Sequence, residues 1–168
     1  MNKKFLAAVF SAAVLVTACK KSDVQQTAVN TPAVAAASVS SSNWKSLSSW
    51  NSQPQEKYTT YSNKISDSTI SAAVAGKGLV LVYKKSGTDI SALPFEEKGT
   101  SNFWYYQVSQ GRLVVLVDTY GTTAAPAQGQ SIKYFVLSAD KLNELQSKGY
   151  SKAELMKLSY ENAIAILN

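Results

Sequence analysis

Of the residue types that carry most enzymatic and metal chemistry, this chain of 168 residues holds one cysteine, Cys19, and no histidine. The missing imidazole removes histidine acid–base catalysis and histidine metal ligation, and a lone cysteine cannot close an internal disulfide. Cys19 follows Val16, Thr17 and Ala18, at the end of an apolar stretch over residues 5–16 that is broken only by Ser11 and preceded by Lys3 and Lys4. That stretch is too short to span a bilayer as an ordinary helix and has the charge order of an export signal. Small residues before the thiol let a peptidase reach the backbone, and the thiolate is the group that can take a diacylglycerol.

The Val16-Thr17-Ala18-Cys19 pattern resembles the lipobox of bacterial lipoproteins. The resemblance implies that residues 1–18 are a cleaved signal peptide and that Cys19 becomes a lipidated N-terminus. Each buried methylene contributes about 0.8 kcal/mol, so several acyl chains hold a protein at a membrane where one binds only marginally. Losing Lys3 and Lys4 leaves 15 of the 17 basic residues against 11 acidic ones. The adjacent basic pairs, Lys20-Lys21 and Lys84-Lys85, are isolated, so the charge points to no nucleic-acid partner.

Without histidine, a nucleophilic serine would need a lysine base. Ser138 and Lys141 form a Ser-x-x-Lys, and Lys85-Ser86-Gly87 is similar to the Lys-Thr/Ser-Gly strand of penicillin-binding enzymes. The two fragments occur in the reverse order for that family, in about half the chain length it needs. A helix cap and a turn account for them, so no catalytic residue is expected. Glu96 and Glu97 are neighbours, which on a strand point to opposite faces and cannot flank one bond. Asp67, Asp89 and Asp118 show no metal-binding spacing, and no cofactor or metal is expected.

Residues 19–43 carry the cysteine and then an aromatic-free run of small and polar residues, read as a flexible tether. Trp44 opens a single domain over residues 44–168. Residues 44–50 and 58–65 read as edge strands separated by Pro54, and Ser66-Asp67-Ser68 offers caps to a short helix ending near Gly76 and Gly78. Residues 79–83 and 113–117 are continuous apolar runs, which predicts strands buried on both faces. Short turns join these to strands over residues 90–96, 102–108 and 132–137, favouring antiparallel pairing. Ser138 caps a helix with Leu142 and Leu145, and Ser151 with Glu154 opens a second whose apolar stripe runs from Met156 to Leu167. The predicted fold is mainly β with minor α: an antiparallel, sandwich-like meander, one short helix before its core and two C-terminal helices.

The one sequence feature with binding potential is the run Phe103-Trp104-Tyr105-Tyr106, which gives two aromatics to each face of a strand. Trp104 and Tyr106 are the pair assigned to ligand stacking, on a sugar or a protein partner. The run 78–83, Leu93-Pro94-Phe95, Lys133 to Leu137, Gly149-Tyr150-Ser151 and Ser159-Tyr160-Glu161 together resemble a group of small uncharacterised secreted lipoproteins of Bacteroidota. That resemblance covers residues 44–168. It implies a β-rich, sandwich-like exported domain that brings no catalytic residues with it. The lipobox, the missing catalytic residue types and the aromatic strand together point to a non-catalytic binding or structural module, lipid-anchored in the outer membrane through Cys19, with a glycan or an envelope protein as its partner.

Overall fold

The computed structural model describes residues 37–121 and 124–167. The lipobox residues Val16, Thr17, Ala18 and Cys19 lie outside them. In chain order the strands and helices are β1 (Val39–Ser41), β2 (Lys45–Ser46), β3 (Asn51–Pro54), β4 (Tyr58–Ser66), α1 (Ala72–Lys77), β5 (Leu79–Ser86), β6 (Asp89–Ala92), β7 (Phe95–Glu97), β8 (Asn102–Ser109), β9 (Arg112–Tyr120), β10 (Ser131–Leu137), α2 (Ala139–Ser147), α3 (Lys152–Leu155) and α4 (Tyr160–Leu167).

These strands make two antiparallel sheets and no closed barrel. The first has the order β1-β10-β5-β6, with β2 continuing the β1 edge against the start of β10. The second has the order β3-β4-β9-β8-β7. Val80, Val82, Tyr134 and Val136 of the first sheet meet Tyr61, Trp104, Leu113, Val115 and Val117 of the second in one buried cluster. The opposite face of β5 and β10, with Leu79, Leu81, Tyr83, Phe135 and Leu137, packs under Leu142, Leu145, Leu155, Ala163 and Leu167 of the helices. The result is three layers: helices, first sheet, second sheet. Each fully buried aliphatic or aromatic side chain contributes roughly 1.5–3 kcal/mol.

The strand-helix order follows the sequence pattern, with instructive differences. Residues 79–83 are buried on both faces, as their unbroken apolar run predicts. Residues 113–117 are not: Leu113, Val115 and Val117 are buried while Val114 and Leu116 are only half-buried, because no described element covers that side. The segment 90–96 is two strands rather than one. Leu93 N–H still donates to the Val82 carbonyl (2.9 Å), but Pro94 has no N–H to continue the ladder, and Phe95 then pairs with Trp104 in the other sheet. The Leu93-Pro94 peptide is cis. The core is therefore not a single meander, since the chain changes sheets at this corner and returns with β10.

Ordered structure also begins earlier than Trp44. Residues 39–41 pair with β10, and Ser42 both donates its N–H to the Tyr134 carbonyl (2.9 Å) and accepts the Tyr134 N–H on Oγ (3.0 Å). A strand edge is satisfied by backbone groups, which small polar residues supply as well as large ones. Residues 58–65 form a strand as predicted, but an interior one between β3 and β9. The cap of α1 is Ser71, not Ser66 or Ser68. Asp67 is otherwise engaged: its Oδ1 accepts from the Thr69 N–H and hydroxyl (2.8 and 2.7 Å), and its Oδ2 accepts from the Tyr134 hydroxyl (2.5 Å). At the C-terminus Ser138 caps α2 and the Ser151–Glu154 capping box opens α3, but the second predicted helix is divided. Ser159 Oγ accepts from the Asn162 N–H (3.2 Å) and starts α4 afresh.

Gly78 is the tightest joint between α1 and the first sheet, because a Cβ there would sit 2.4 Å from the Leu137 carbonyl oxygen. Gly111, at φ 70°, supplies the left-handed residue of the β8–β9 turn.

The Asp67–Tyr134 hydrogen bond joins β10 to the segment that leaves β4, across the sandwich. Burial alone would raise the Asp67 carboxyl, but bonds from Tyr134 and Thr69 and the charge of Lys45 more than offset it and hold it below its ordinary 3.8. A depressed carboxylate stabilises the fold above its unfolded pKa, and that contribution is lost as pH falls through the folded value. Asp67→Asn should therefore lower the urea midpoint at neutral pH and flatten the loss of stability below about pH 4. Parallel acid limbs for the variant and the parent would contradict this role.

Candidate functional site

The β8–β9 register decides which aromatics face outward. Trp104 pairs with Val117, Tyr106 with Val115 and Val108 with Leu113, so all three share the face of the buried β9 valines and leucine. Trp104 is fully buried and packs against Trp50 (5.9 Å between centroids) and Phe95 (6.5 Å). Tyr106 packs on the same core, and its hydroxyl donates to the Val80 carbonyl (2.6 Å). Burial pushes the Tyr106 phenol up to about 12. The pair assigned to stacking from the sequence thus faces the wrong way; Trp104 and Tyr106 hold the two sheets together.

The opposite parity of the same strand carries the outward aromatics. Phe103 and Tyr105 stack with centroids 5.6 Å apart and planes 26° apart. Beside them, Tyr58 of β4 and Tyr120 of β9 form a cross-strand pair with centroids 5.2 Å apart. Phe103 and Tyr120 are 41% and 47% exposed, the two exposed large apolar side chains among the described residues. Asp118 stands between the pairs, in register with Thr60 on one side and Phe103 on the other. Its Oδ1 accepts from the Thr60 hydroxyl (2.7 Å) and from the Tyr105 hydroxyl (3.3 Å). Partial burial, then the charge of Asp118 and the bond to it, push the Tyr105 phenol up to about 12, so it stays protonated as a donor. A hollow of about 370 Å³ opens beside this face, lined by Glu96, Ser101, Asn102, Phe103 and Tyr120. That size lies near the lower end of small-molecule pockets, roughly 300–1,000 Å³.

The arrangement can offer aromatic faces to the apolar side of a ring and a carboxylate with hydroxyls to its polar edge. It brings together Phe103, Tyr105, Tyr58, Tyr120, Asp118 and Thr60, none of which sequence reasoning chose as a ligand contact.

The fragments that could suggest a lysine-assisted nucleophile are occupied otherwise. Ser138 Oγ accepts from the N–H groups of Lys141 (3.2 Å) and Ser38 (3.0 Å), and Lys141 Nζ pairs with Glu144 (3.2 Å). Lys85 Nζ lies 5.7 Å from the Trp44 ring centroid. Among the described residues no group of three or more acidic or cysteine side chains is placed to hold a metal ion, and no helix is long and apolar enough to cross a membrane. No family model, no curated protein and no solved structure matches the chain.

The two aromatic pairs should respond differently to truncation. Trp104→Ala should cost about 3–5 kcal/mol of unfolding free energy, because it leaves a cavity where both sheets meet. Tyr105→Ala, on the outward face, should cost under about 1 kcal/mol. Urea titration of both variants measures the contrast, and equal losses would place Tyr105 in the core as well.

Proposed function

We propose that this chain is a lipid-anchored protein of the bacterial outer membrane that binds carbohydrate and does not transform it. The observation that carries the reading is the outward face of the second sheet, where two aromatic pairs flank Asp118. Stacking on exposed aromatic rings favours the weakly hydrated face of a pyranose, and the carboxylate and hydroxyls match the ring's equatorial hydroxyls. A peptide ligand would instead favour an open strand edge or an apolar groove, and this face is neither. The lipobox pattern supports the anchored location: a domain held at the membrane through Cys19 can reach polysaccharide beside it.

Two measurements test it. The Cys19→Ser chain should lose metabolic palmitate labelling and move from the membrane to the soluble fraction. That soluble chain should bind oligosaccharides of glucose, mannose or N-acetylglucosamine saturably, and Phe103→Ala and Tyr105→Ala should each weaken binding about fivefold, near 1 kcal/mol per ring. No saturable binding to any of them, or binding untouched by both substitutions, would overturn the carbohydrate reading.

A further inference from the structure

A second cluster of polar groups lies between the two sheets. Lys84 of β5 points inward with Val80 and Val82, and its side chain is 3% exposed. It is in direct contact with Oε1 of Glu97 on β7, in the opposite sheet. The other oxygen of that carboxylate, Oε2, accepts from the side-chain amide of Asn102 on β8 at 3.1 Å. Glu97 and Asn102 are register partners, so one carboxylate bridges a lysine amine from one sheet and an asparagine amide from the other. Aromatic rings wall the cluster: Lys84 Nζ lies 4.2 Å from the Trp104 ring centroid and 5.5 Å from that of Phe95. The Trp104 indole N–H (3.4 Å) and the Thr100 hydroxyl (3.3 Å) hold Oε2 in place.

We propose that Lys84 and Asn102 form an intramolecular isopeptide bond, with Glu97 as the proton carrier. Glu97 takes a proton from the Lys84 ammonium on Oε1, leaving a neutral amine. The amine nitrogen attacks Cγ of Asn102, forming the new C–N bond, and the carbonyl electron pair moves to oxygen. The electron pair returns, the bond from Cγ to Nδ2 breaks, and Glu97 delivers its proton to Nδ2 from the side of Oε2. The second proton of the attacking nitrogen passes to Glu97, which transfers it to the departing ammonia. In sum, one ammonium and one amide become one secondary amide and one ammonium ion, with no oxidant, metal or external reactant.

Three features of the site favour this chemistry. The amine, the carboxylate and the amide are held side by side between the sheets, where the Lys84 side chain is screened from bulk water. Burial alone would raise the Glu97 carboxyl, but bonds from Lys84, Asn102 and Trp104 hold it below the usual range, so it rests as the base the first step needs. Thr119, opposite Asn102 on the same face, is 2% exposed, and its hydroxyl has no partner among the described residues, which leaves a donor available to the oxygen that gains charge. The bond would join the two sheets covalently around the Pro94 corner, a fitting reinforcement for a domain held outside the protection of the cytoplasm.

Trypsin digestion of the denatured full chain, followed by mass spectrometry, tests it. A linked Lys84 resists cleavage, so residues 78–85 should appear joined to residues 99–112, lighter than the sum of the two peptides by one ammonia. Asn102→Ala should release residues 78–84 and 99–112 separately. Asn102→Asp should restore the same linked product, through loss of water. Glu97→Gln should abolish the link in a chain whose circular dichroism matches the parent. Recovery of residues 78–84 and 99–112 only as free, unmodified peptides from the parent chain would overturn the proposal. A link that survives Glu97→Gln would overturn the role of Glu97.

Discussion

Residues 79–83 have to be kept from water on both faces, and the rest of the architecture answers that demand. One face of a strand can be covered by another sheet and the other by helices, and here both happen. β10, with Tyr134 and Val136 on one side and Phe135 and Leu137 on the other, lies beside β5 under the same constraint. The second sheet and the C-terminal helices each supply one cover. Once both covers are spent on the first sheet, the outer side of the second sheet has no described layer over it, and its surface is free for polar and aromatic residues. The site is thus a by-product of where the layers run out.

Polar groups inside the sandwich mark where the sheets are tied. Lys84 with Glu97 joins β5 to β7 at one end, and Tyr134 with Asp67 joins β10 to the segment after β4 at the other. Burying charge is costly unless geometry and hydrogen bonds compensate, and removing one partner costs more than the pair ever returns. Glu97 meets that condition through Lys84, Asn102, Thr100 and Trp104. Such ties favour one alignment of the two sheets over others that apolar packing alone would tolerate. They also leave the outward aromatics on a rigid base, so the rings themselves would lose little entropy if a ligand stacked on them.

Much of the fold was legible in the sequence because period and run length report burial. The apolar run at 79–83, the caps at Ser138 and Ser151 and the mainly β class all rest on local signals. The assignment of strands to sheets was not legible, because sheet exchange at Pro94 and pairing of residues 39–41 depend on backbone groups far apart in the chain. The outward aromatics lay one step from view. Gln110-Gly111 is a two-residue turn, so Val108 must face Leu113, Tyr106 Val115 and Trp104 Val117. Had that register been combined with the burial of Leu113, Val115 and Val117, Trp104 and Tyr106 would have been assigned inward and Phe103 and Tyr105 outward. Asp118 and Thr60 carry no local signal at all, since only the β4–β9 pairing brings them together.

The proposed recognition surface is the outer side of the second sheet. Ring resonances of the aromatic residues, assigned by NMR and followed during titration with oligosaccharides of glucose, mannose and N-acetylglucosamine, test it most directly. Shifts should be confined to Tyr58, Phe103, Tyr105 and Tyr120, with Tyr83, Phe135 and Tyr160 under the helical layer unmoved. Shifts centred on Tyr83, Phe135 and Tyr160, with the outward rings silent, would contradict it.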